Sequence, residues 1–105
     1  MALGGMLLSV LAAGASAQSL FPTGEALVAE VRATDAADIV VLAGGFDQGF
    51  RQGMRCEVRR DGEVIAVLVI ADVGTAKTAG LILDLPAGQS IQPGDLVRLQ
   101  TFRLN

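Results

Sequence analysis

The feature that most constrains this chain is the dipeptide Asp61-Gly62, set between the alternating segment Met54 to Arg59 and the unbroken apolar run Val64-Ile65-Ala66-Val67-Leu68-Val69-Ile70. A type I′ turn needs positive φ at both central residues, and its twist matches that of paired strands, so Asp-Gly between two β-type runs predicts a hairpin. In the first arm Met54, Cys56 and Val58 alternate with Arg55, Glu57 and Arg59, which turns Cys56 inward. The second arm is too continuously apolar for a sheet wetted on one side. It must be buried on both faces or curl round a closed barrel.

Further strands are read on either side of this hairpin. Leu27, Ala29, Val31 and Ala33 are expected on one face of a first strand, with Val28, Glu30 and Arg32 on the other. The polar connection Thr34 to Asp38 leads to Ile39-Val40-Val41-Leu42, a β-branched run suited to a buried strand. Gly44-Gly45 opens a loop that ends at Gly53, and Asp72-Val73-Gly74-Thr75 ends the fourth strand. Lys77 to Leu85 reads as a fifth strand, stopped at Pro86, and after the Pro93-Gly94-Asp95 turn Leu96 to Leu104 reads as the last. The competing reading is an α+β domain with a helix in Gly24 to Ala37, where Gly24 could precede Glu25 to Ala33 and alanines make the segment ambiguous.

Close strand spacing and glycine turns favour an all-β fold, a small antiparallel barrel (SH3-like or similar) of about six strands over residues 27–105. With 105 residues, 51% of them hydrophobic and 18% charged, the chain suffices for one compact domain and is too apolar for intrinsic disorder.

Met1 to Gly24 carries no charge, and the apolar run Met6 to Ala13 is followed by Ala15-Ser16-Ala17, an A-x-A pattern that suits signal peptidase. Residues 1–17 are therefore expected to be a cleaved signal peptide, with 18–26 a flexible leader and the product periplasmic or secreted. As a spanning helix, Ala2 to Ala17 would reach about 24 Å, short of the roughly 30 Å hydrocarbon core, so no stable membrane span is expected after cleavage.

Eight Lys+Arg against eleven Asp+Glu give a net charge of -3, the wrong sign for a protein that neutralises phosphates, so nucleic acid is not an expected partner. The chain has no His, Trp or Tyr and a single Cys. That removes the usual equipment for acid/base catalysis, soft-metal binding and aromatic stacking, and no cofactor or metal is expected. Cys56 has no intramolecular disulfide partner, and no His stands by to make its thiolate.

Three motifs resemble chemistry that their context lacks. In Gly44-Gly45-Phe46-Asp47-Gln48-Gly49 the final glycine is followed by Phe50-Arg51, where a P-loop needs Lys and then Ser or Thr. Asp72-Val73-Gly74-Thr75 has Val73 where an aspartic-protease loop needs a hydroxyl. Asp35, Asp38 and Asp47 lack the spacing of a calcium loop. The densest basic group is Arg51, Arg55, Arg59 and Arg60, with Arg55 and Arg59 on one strand face and Glu57 between them. Its structural reading is a solvated face partly neutralised by Glu57; its functional reading is a docking patch for an acidic partner or anionic envelope polymer.

The segment Asp38 to Val58, with Gly44, Gly49 and Gly53, the Asp61-Gly62 hairpin and the closing Ile91-Gln92-Pro93-Gly94-Asp95-Leu96-Val97 turn, resembles the C-terminal domain of flagellar assembly protein T and related small barrels of the bacterial envelope. The resemblance runs from Asp38 to Phe102. It implies a non-enzymatic module, without catalytic residues, that packs against a protein partner in an extracytoplasmic assembly. Two other classes compete: a small secreted hydrolase or thiol-dependent protein using Cys56, and a membrane-anchored scaffold that keeps its N-terminal segment. The oligomeric state is left open by the sequence.

Overall fold

The structure, a computed structural model, describes residues 21–100. The expected signal peptide, the first residues of the expected leader and positions 101–104 of the expected last strand lie outside the described residues. Within them the chain forms β1 (Glu25–Ala33), β2 (Asp38–Leu42), β3 (Arg55–Arg60), β4 (Glu63–Val73), β5 (Thr78–Asp84) and β6 (Leu96–Leu99). All pairings are antiparallel, and the strands close into a barrel in the order β1-β2-β5-β4-β3-β6, with β6 pairing back to β1. The all-β reading with six strands is what the structure shows, and Glu25–Ala33 is strand, not helix. Asp61 and Gly62 both have positive φ, 53° and 82°, as the I′ hairpin requires.

Closure answers the choice posed by the apolar run. Ile65, Ala66, Leu68 and Ile70 point into the barrel, Val67 and Val69 are half-buried on its outside, and Val64 is exposed. Ile65 and Ala66 are consecutive yet both buried because Ile65 is the extra residue of a bulge: Val58 pairs with Ala66 and Arg59 with Val64.

The face expected for β1 is corrected. Ala26 and Val28 face the core, not Leu27 and Ala29. A bulge then skips Ala29, since Val28 pairs with Leu42 and Glu30 with Val41, and the shifted phase lets Val31 pack on the core. A two-residue alternation read straight through a bulge lands on the wrong face on one side of it. The strand also begins two residues before the expected Leu27.

The interior is filled by Val40, Leu42, Phe50, Cys56, Val58, Leu68 and Val97, all at 0% exposure. Enclosing a side chain of Val, Leu or Phe size contributes about 1.5–3 kcal/mol. Phe50 reaches this core from the loop between β2 and β3 and Ile91 from the loop between β5 and β6, so the two plug opposite ends of the barrel.

Two loop contacts fix the end that Phe50 plugs. A single 3-10 turn, Phe46–Gln48, buries Gln48, whose Nε2 donates to the carbonyls of Glu25 at 2.9 Å and Pro22 at 3.1 Å. The segment leading into β1 is thereby tied to the β2–β3 loop. Gly45 lies so close to the turn between β4 and β5 that a Cβ built on it would stand 2.1 Å from the Gly74 carbonyl oxygen. Only glycine fits there.

Candidate docking surface

The four arginines singled out in the sequence do not form one patch. Strand β3 carries Arg55 at the Phe50 end and Arg59 and Arg60 at the other, about 17 Å along an extended chain. Arg51 lies in the loop before β3, at the same end as Arg55.

Three of the four are held by the protein itself. Arg60 donates from Nε to Asp95 Oδ1 at 2.9 Å and from Nη2 to Asp95 Oδ2 at 2.7 Å, and Nη2 also donates to the Ser90 carbonyl at 2.7 Å. Asp95 is buried at 6% exposure and also accepts the Gln92 backbone N–H at 2.8 Å, which closes the Gln92–Asp95 turn. The Arg60 guanidinium holds the Asp95 carboxyl below its ordinary value. Arg59 donates to Glu57 Oε1 at 3.2 Å and to the Gly62 carbonyl at 3.2 Å. Arg51 lies over the Phe46 ring, 5.3 Å from its centroid, and its Nη1 donates to the carbonyls of Phe50 at 2.8 Å and Phe46 at 3.2 Å.

Arg55 differs. It is exposed, and among the described residues its side chain makes no hydrogen bond or ion pair. Arg55, Glu57 and Arg59 do share the outer face of β3, as the alternation predicts, with Cys56 and Val58 facing in.

Exposed apolar side chains were not among the residues read from the sequence. Phe46 is 51% exposed and Met54 38%, both at the Phe50 end with Arg51, while Leu83 is 50% and Val64 46% on the barrel's side. The signal for Phe46 was its place among turn residues, where an aromatic side chain has no strand to turn it inward. For Leu83 the signal was the alternation of β5, in which Thr78, Gly80 and Ile82 face in and Leu81 and Leu83 face out; a bulge also leaves Leu83 unpaired, since Val67 pairs with Asp84 and Leu68 with Ile82.

The carboxylates considered as cation ligands are dispersed. Asp35 lies within the β1–β2 turn and Asp38 opens β2, while Asp47 sits in the 3-10 turn at the other end of the barrel. Among the described residues no group of three potential ligands comes together. Asp72 is exposed and accepts the Val73 backbone N–H. Cys56 is fully enclosed, and burial pushes its thiol up to about 12, so at neutral pH it is protonated and shielded. Among the described residues no helix is long and apolar enough to cross a membrane.

Comparison with known protein families, with curated proteins and with solved structures finds no match to this chain.

Proposed function

We propose that this protein is a non-catalytic binding or assembly module of the bacterial cell envelope, exported by cleavage after Ala17, and that it docks a protein partner with the Phe50 end of its barrel. The observation that carries this reading is the exposed Phe46 ring with Arg51 laid over it, and exposed Met54, whose backbone N–H donates to the Arg51 carbonyl at 3.2 Å. Phe, Met and Arg are the side chains enriched at protein interfaces, where a rigid aromatic anchor supplies area and arginine supplies directed hydrogen bonds. Arg51 is held by two carbonyls through Nη1, so its position over the ring is set before any partner arrives. The resemblance to small envelope barrels such as the C-terminal domain of flagellar assembly protein T points the same way. Arg59 and Arg60, engaged at the other end, serve the fold in this reading, and Arg55 borders the docking end.

The test is cross-linking in the native cell, capture and mass spectrometry, with the native chain beside a Phe46→Ala/Arg51→Glu variant. One defined envelope protein, recovered with the native chain and lost with the variant, supports the reading. Equal recovery with both retires this surface, and recovery of the chain alone counts against an assembly role. The intact mass of the captured chain reads export directly: loss of residues 1–17 supports cleavage, and their retention favours an anchored scaffold.

A further inference from the structure

On the side of the barrel, the outward residues of β4 and β5 form an apolar strip of Val67, Val69, Leu81 and Leu83. Leu83, unpaired at the bulge, is the most exposed of the four. Two charges border this strip on opposite sides of β4. Arg55 is directly across from Val69 on the β3 side, and Asp84 is directly across from Val67 on the β5 side. Both are exposed, and among the described residues neither makes a side-chain hydrogen bond or ion pair. Glu57, the other charge beside Val67, is committed to Arg59.

This arrangement is complementary to itself. A two-fold axis lying in the plane of the strip, passing between Val67 and Val69 and perpendicular to the line from Arg55 to Asp84, exchanges those two residues. A second copy placed by that axis sets each Arg55 against the other chain's Asp84 and lays Leu83 over the copy's Val69. A closed isologous pair results, with two identical ion pairs around an apolar centre. We infer that this face is the contact between two copies of the chain, which associate weakly through Val67, Val69, Leu81 and Leu83 with reciprocal Arg55–Asp84 pairs. The outside of a small barrel is convex, so the contact belongs to the class below about 1,200 Å², where association is transient. This contact uses none of Phe46, Arg51 and Met54, although Arg55 borders the docking end.

Sedimentation equilibrium tests it on the protein as recovered from expressing cells, up to about 1 mM, the weak end of the affinity scale. The native chain is expected to dimerise in the sub-millimolar range, and to weaken when sodium chloride is raised because the bordering ion pairs are exposed. Arg55→Asp alone and Asp84→Arg alone should each weaken association at least about tenfold, as like charges then face each other. The double variant Arg55→Asp/Asp84→Arg should recover most of it. A native chain monomeric throughout, association indifferent to salt, or single variants that dimerise like the native chain would each overturn the inference.

Discussion

Arg60 and Asp95, thirty-five residues apart, meet through two parallel hydrogen bonds where β3 ends and β6 begins. Strand β6 is only four residues long and closes the barrel by pairing with β1 on one side and β3 on the other. A short closing strand gains little from its own ladder. The Arg60 fork, together with the Gln92 N–H on the same carboxylate, fixes where it starts.

Removing that acceptor should therefore loosen closure. Asp95→Ala is expected to lower stability by about 1.5 kcal/mol, the lower end for hydrogen bonds to a charged group because Arg60 remains partly wetted. Urea unfolding of the two proteins side by side measures it, and a change within error would show that the strand ladder alone holds β6.

The same pair sets a pH dependence. The Asp95 carboxyl is held below its ordinary value of 3.8, so the unfolded chain takes up this proton first as pH falls. The contribution is complete above about pH 5 and is lost as pH drops below 3.8 through the lower native value. Melting curves between pH 2 and 7 should show the native chain losing more stability on acidification than Asp95→Asn, which lacks this proton. Parallel acid profiles would contradict the assignment.

Cys56 supplies a probe of opening. Its thiol is enclosed and raised to about 12, so alkylation by iodoacetamide at pH 8 should proceed only through opened states and quicken in urea with the unfolding transition. Modification of the native protein at the rate of a model thiol would revive the thiol-dependent reading.

Gly45→Ala tests the close approach of two loops. A methyl group there meets the backbone oxygens of Gly74 and Thr75, which have no flexible side chain to move aside. A loss of about 1–3 kcal/mol is expected, the range for overpacking. At Gly53 there is open space around a Cβ, and the cost of Gly53→Ala should come only from its φ of +89°. Equal stability of Gly45→Ala and the native chain would mean that the loops part freely.

Much of the fold was legible because its signals are local. Asp61-Gly62 announced its own turn, the alternation of β3 put Cys56 and Val58 inside, and the glycines and prolines marked the breaks. The error on β1 has a local cause too: one extra residue at Ala29 inverts the inside and outside of everything beyond it, and alanine carries no mark of a bulge. The candidate site was harder to read. Arg51, Arg55, Arg59 and Arg60 look like one basic cluster along the chain, yet an extended strand separates its two ends.

What the sequence determined by itself was the list of strands, the hairpin and the need to enclose the Val64–Ile70 run, since turn chemistry and apolar periodicity act over a few residues. Only the tertiary structure decided which arginine is spent and which has no side-chain partner among the described residues. Arg60 is engaged because β6 returns beside β3 and brings Asp95 to it, while Arg55 faces a neighbouring strand that offers Val69. The partner of a charged side chain is set by strand order and register across the closed barrel, and these follow from pairing between segments distant in the chain, which no local pattern encodes.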